Sequence, residues 1–140
     1  MAEDLIAYFT LEHGWIEGLM GALLGAVSSG IEDAARSAVA DLDDAMRRHT
    51  ADEEQRIFPA APYGKLVAKA DETDRERLAR ELRLEHVQIR EVIGMMRRLI
   101  EERGDLAGAK ALFGGLARRW DAHVEKEVRE LTREDSAPSS

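Results

Sequence analysis

Four histidines, His13, His49, His86 and His123, are the only imidazoles in a chain of 140 residues, and no cysteine accompanies them. An imidazole can serve as base, proton carrier or metal ligand, and its neighbours decide which. Two of the four are followed one helical turn on by a carboxylate, in His49-Thr-Ala-Asp-Glu53 and His123-Val-Glu-Lys-Glu127. On a helix this spacing turns the glutamate only about 40° away from the histidine, so both can face one cavity. The other two share a preceding dipeptide: Leu11-Glu12-His13 recurs as Leu84-Glu85-His86. Two His-x-x-x-Glu pairs and two single histidines give four nitrogens and at least two carboxylates. Such a set suits two transition-metal ions bridged by carboxylates. The missing cysteine removes disulfides, thiolate zinc sites, iron–sulfur clusters and thiol catalysis. A serine triad is excluded as well, because Ser28 and Ser29 lack a matching base, and neither a glycine-rich phosphate loop nor a nucleophile elbow occurs.

These residues need a scaffold that brings them to one level. Alanine, leucine, glutamate and arginine dominate, and all are strong helix formers. The pattern predicts an all-α chain with helices over 3–28, 32–58, 73–102 and 106–132. Breaks fall at Ser28-Ser29-Gly30, at 59–70 and at Arg103-Gly104-Asp105, and Thr73 with Glu76 spells a capping box for the third helix. Each helix carries a stripe at steps of three and four, the first through Ile6, Phe9, His13, Ile16, Met20, Leu23 and Val27. All four histidines, Glu53 and Glu127 lie inside these stripes. Two short turns then predict an up-down-up-down antiparallel four-helix bundle. His13 and His49 are 36 positions apart and centred beside Gly30; His86 and His123 are 37 apart and centred beside Gly104. Residues equidistant from a hairpin turn share a height, here roughly 27 Å from it at about 1.5 Å per residue.

Each signal taken alone has a bland explanation. A lone histidine on an apolar stripe is ordinarily a satisfied core residue, and a lone His-x-x-x-Glu is ordinarily a surface pair. The coincidence of all four, at matched heights with a duplicated motif, argues for metal. Other features fall to the bland reading. Met20, Met46, Met95 and Met96 are expected to fill the core. The pairs Arg47-Arg48, Arg97-Arg98 and Arg118-Arg119 are expected on solvated faces. Glu54 is either a support for the centre or exposed, and Glu12 and Glu85 are candidates to position an imidazole. Gly14, Gly18, Gly21 and Gly25 mark either a close helix contact or a locally weakened helix. The segment 59–70, with Tyr63, Leu66 and Val67, is expected to fold over the bundle end.

Acidic side chains number 28 against 20 basic ones, for a formal charge of -8, which opposes a large nucleic-acid footprint. An apolar content of 44% with 34% charge reads as one globular domain over 1–133. The acidic N-terminus does not resemble a signal peptide, and no apolar run approaches the ~20 residues of a membrane span. The expected address is therefore cytoplasmic. The polar segment 134–140 reads as a flexible tail.

The ordered set Glu12-His13, His49-x-x-x-Glu53 with Ile57-Phe58-Pro59, Glu85-His86 and His123-x-x-x-Glu127 resembles the hemerythrin-like family, in particular the group named for its His-His-Glu cation-binding motif. The resemblance spans about 8–132. It implies a non-heme di-iron centre ligated by His13, His49, Glu53, His86, His123 and Glu127, with Glu53, Glu127 and an oxo or hydroxo group as bridges. It further implies binding of dioxygen, nitric oxide or peroxide, or a role in iron handling or redox sensing. By the same analogy Ile16 walls the ligand pocket, with Trp120, Phe9 and Ile89 as neighbours. Two features depart from the oxygen carriers of that family. They place a fifth histidine where Arg90 stands, and they end in His-x-x-x-x-Asp where this chain has Glu127 followed by Val128. Both departures point away from simple reversible oxygen carriage. Three readings follow: a di-iron sensor or binder, a peroxide-scavenging or oxidase-type enzyme, and a structural bundle around a silent metal.

Overall fold

A computed structural model describes the backbone of residues 2–56 and 73–136, with side chains over 7–56, 73–74 and 76–130. Four helices make up the described backbone: α1 (Ala2–Ser29), α2 (Glu32–Arg56), α3 (Asp74–Arg103) and α4 (Leu106–Ser136). The three helix starts expected at 32, 73 and 106 agree to within a residue. Ile57-Phe58-Pro59 and the segment expected to cover the bundle end lie outside the described residues. So do 137–140 of the expected tail, whereas α4 continues through Ser136.

Local chemistry sets the helix ends. Gly30 adopts φ 70° and Gly104 φ 60°, a left-handed conformation that costs a residue with a Cβ more than it costs glycine. Beyond Gly30 the Ile31 N–H returns to the Ala26 carbonyl at 3.2 Å, closing α1. Gly104 closes α3 by donating to the Ile100 carbonyl at 3.1 Å. Thr73 caps α3 through its side chain, and Glu76 reciprocates at the Thr73 N–H, as the capping-box spacing predicts. Asp105 opens α4 by accepting the Gly108 N–H at 2.8 Å.

The helices form an up-down-up-down bundle in which α1 packs on α2 and α4, and α3 packs on the same two. Apolar stripes fill the interior in two clusters. The larger runs through Ile16, Met20, Leu23, Leu42, Met46, Ile89, Ile93, Ile100, Leu116 and Trp120, toward the two turns. The smaller holds Phe9, Ala79 and Leu82, near the end where α2 leaves and α3 begins. Met20, Met46 and Met96 are core residues, but Met95 is 44% exposed. It stands one residue before Met96, off the stripe through Ile93 and Met96, and lines an open groove with Arg47, Val87, Arg90 and Arg98. The expectation of a core Met95 is thereby corrected. Rotation of about 100° per residue carries a stripe's immediate neighbour off the core face.

Candidate metal centre

The gap between the two apolar clusters contains six polar side chains. His13, His49, Glu53, His86, His123 and Glu127 are all at most 4% exposed. Matched height within each hairpin brings the rings together: the His13 and His49 centroids are 5.0 Å apart, and those of His86 and His123 are 4.7 Å apart. All six residues expected at the site are thus gathered by the fold.

The two carboxylates lie between the hairpins and divide their oxygens. Glu53 Oε2 is 3.4 Å from His13 Nε2 and 3.2 Å from His49 Nε2. Its Oε1 is 2.9 Å from His86 Nε2 and 3.7 Å from His123 Nε2. Glu127 does the same, with Oε1 3.1 Å from His13 Nε2 and Oε2 3.3 Å from His123 Nε2. Two ligand-sized groups result. Glu53, His86, His123 and Glu127 each offer one atom, all within 4.8 Å of one another, and so do His13, His49 and Glu53. Glu53 belongs to both.

The hydrogen-bond inventory shows that these donors fit a metal. His49 Nε2 and both Glu127 oxygens are buried without an aligned hydrogen bond. Such atoms cost about 1–3 kcal/mol each when left unmet. His86 Nε2 and His123 Nε2 face each other at 3.1 Å. A cation between these groups would satisfy lone pairs that find no aligned hydrogen bond.

Without a metal, protons hold the cluster together. Burial works against a charged His13, but Glu127 and Glu53 outweigh it and push its pKa up to about 9. Burial likewise opposes protonation of His123, yet Glu127, Glu53 and Glu85 raise it to about 11. His49 is also raised, by Glu53 and Glu12 against its burial. Burial favours a neutral Glu53, but its contacts with Glu127, His123, His13 and His49 hold it well below the usual carboxylate range.

Around the six lie the apolar neighbours expected from the sequence and polar residues that sequence placed less well. Trp120 stands against three imidazoles, with centroid distances of 5.3 Å to His13, 5.8 Å to His49 and 6.3 Å to His123. Phe9 meets the His49 ring edge-on at 5.9 Å. Ile16 and Ile89 are buried three residues after His13 and His86. Glu12 and Glu85 do reach imidazoles, but not those that follow them in sequence. Glu12 Oε1 is 2.5 Å from His49 Nδ1, and Glu85 Oε1 is 2.8 Å from His123 Nδ1. Glu54 is partly buried, 3.4 Å from His86 Nδ1 and 3.3 Å from the Arg83 Nε. Arg83 and Lys126 were missed as neighbours of the centre, although the Glu81, Glu85 spacing on α3 offered an acidic face for Lys126.

A family model described as the hemerythrin HHE cation binding domain matches residues 4–133. The chain belongs to that family. No curated protein and no solved structure matches it. This HHE domain is a metal-binding four-helix bundle whose buried His/Glu clusters can hold the cation. No described helix of the domain is long and apolar enough to cross a membrane.

Proposed function

We propose that the domain holds two iron ions, ligated by His13, His49, His86 and His123 and bridged by Glu53 and Glu127. There it binds dioxygen, nitric oxide or peroxide in redox or oxygen sensing or a stress response. The observation that carries this reading is the division of both carboxylates, each with one oxygen toward the first hairpin and one toward the second. A carboxylate serving one ion has no need to straddle two sets of imidazoles. Iron in such a site supplies one-electron chemistry toward a diatomic or peroxide ligand. The chain supplies the rest. Trp120 and Ile16 wall the cluster with apolar surface and exclude water. The two glutamates offset the charge of the cations they hold.

Metal analysis with an absorption spectrum, on protein purified with iron available, tests the reading. Two irons per chain and an azide-sensitive visible band are expected; His49→Ala and Glu53→Ala each fall below two irons and lose the band. Two irons retained in Glu53→Ala would overturn the bridging assignment. A stoichiometric, spectroscopically silent zinc whose removal unfolds the chain would favour a structural metal instead. Peroxide consumption by the iron form separates an enzyme from a binder.

A further inference from the structure

Each hairpin repeats one arrangement around its His-x-x-x-Glu histidine. On α1, Glu12 reaches across to the Nδ1 of His49 on α2 at 2.5 Å. On α3, Glu85 reaches across to the Nδ1 of His123 on α4 at 2.8 Å. In both cases the same ring turns its Nε2 toward Glu53. A carboxylate at Nδ1 fixes the proton there, sets the ring plane and leaves Nε2 as the lone-pair atom. These contacts also have short, charge-assisted lengths. The carboxylates are only partly exposed, Glu12 at 22% and Glu85 at 27%.

The two halves differ behind the carboxylate. Lys126, which lies between His123 and Glu127 in sequence, donates to Glu85 Oε2 at 2.9 Å and to Glu81 Oε2 at 2.8 Å. No cation stands in the matching place beside Glu12 among the described contacts. Its neighbour there is the Tyr8 hydroxyl, which donates its proton to Asp52 at 2.8 Å. A carboxylate that shares its charge with an ammonium is a weaker acceptor than one facing a phenol. Through this contact alone, Glu85 pulls on the His123 Nδ1 proton less than Glu12 pulls on that of His49.

We propose that Glu12 and Glu85 are positioning residues, one per hairpin, that orient His49 and His123 from the neighbouring helix, and that Lys126 makes the two metal positions unequal. This rests on the metal-centre reading above. The family match over residues 4–133 assigns no role to any single residue.

Cobalt(II) titration under chelator competition tests it, because the ion reports each site through its visible spectrum and needs no turnover. Wild type takes up two ions of different affinity, and His49→Ala and His123→Ala each lose one. Glu12→Ala weakens one position by about 10–100-fold and Glu85→Ala the other. Glu12→Gln and Glu85→Gln recover part of the loss, since the amide oxygen accepts the same N–H. Lys126→Met tightens the His123 position by roughly two- to fivefold and leaves the other unchanged. Melting of the metal-free proteins is followed alongside. Wild-type affinities in both alanine variants overturn the proposal while leaving the centre standing. Losses that merely track a lower metal-free melting temperature, or Gln no better than Ala, overturn it too. An unchanged Lys126→Met overturns the inequality. Failure of wild type to bind cobalt(II), or of His49→Ala to lose an ion, overturns the metal centre itself and this proposal with it.

Discussion

Six polar side chains buried at one level create a proton problem before they create a metal site. In the metal-free chain Glu127 and Glu53 favour the protonated forms of His13 and His123. His13 is raised from 6.5 to about 9 and His123 from 6.5 to about 11. A group whose folded pKa lies above its unfolded value stabilises the fold fully below the unfolded pKa, and that stabilisation is lost as pH rises through the folded one. Glu53 has the opposite sign: depressed below 4.5, it stabilises above that value and loses its contribution as pH falls. Metal-free protein should therefore melt highest between about pH 4.5 and 6.5, and lower at pH 9. Thermal melts of chelator-treated protein across that range check this, and a melting temperature that climbs from pH 6.5 to 9 contradicts it. Metal reverses the trend, because each ligand nitrogen must give up its proton to bind.

At the scale of the helix, what was legible in the sequence was angle and height. A stripe states which residues face the interior, and symmetry about a turn states which share a level. Together these placed His13, His49, Glu53, His86, His123 and Glu127 correctly, along with four helices and the Thr73 cap. Contacts that cross to a neighbouring helix were not legible, because they depend on which helix stands beside which and on the reach of long side chains. Glu12 was recognisable as a neighbour of His13, but its actual partner, His49, is on α2. Arg97 was expected on a solvated face; it is 35% exposed, yet its Nη1 donates to Asp43 at 2.8 Å and ties α3 to α2. Asp43 is itself buried and also accepts from Arg47 Nε at 3.2 Å. Removing that acceptor leaves Arg47 to water while Arg97 keeps its Glu101 partner, so the penalty stays moderate. Asp43→Ala is expected to cost about 1–2 kcal/mol in chemical denaturation, without changing metal stoichiometry. A loss of bound metal in that variant would mean that this interhelical tie also aligns the centre.

Across the whole molecule, the core formed by the described residues is uneven about the centre. Toward the turns, α1–α2 and α3–α4 are closed by short connections and share a continuous apolar core from Ile16 and Ile89 to Val27 and Ile100. Toward the other end the described core narrows to Phe9, Ala79 and Leu82, with Tyr8 and Leu78 packed beside them. A fully buried Phe or Leu contributes about 1.5–3 kcal/mol, so among the described residues Phe9 and Leu82 contribute less at that end than the longer core does toward the turns. The centre sits between the two regions and joins all four helices through Glu53 and Glu127. A bound metal is expected to add most beside the smaller cluster, where it would tie the four helices together. Hydrogen exchange compared between metal-loaded and metal-free protein reads this directly. Amides of 7–12, 50–56, 76–85 and 127–130 should exchange faster once metal is removed, while those of 20–46 and 92–116 keep their protection, because local opening is drawn from the regions with fewest buried contacts. Equal loss of protection at both ends would show that the turn-side core does not stand without the metal. In that case the centre would be part of the fold's foundation, not an addition to a bundle that folds without it.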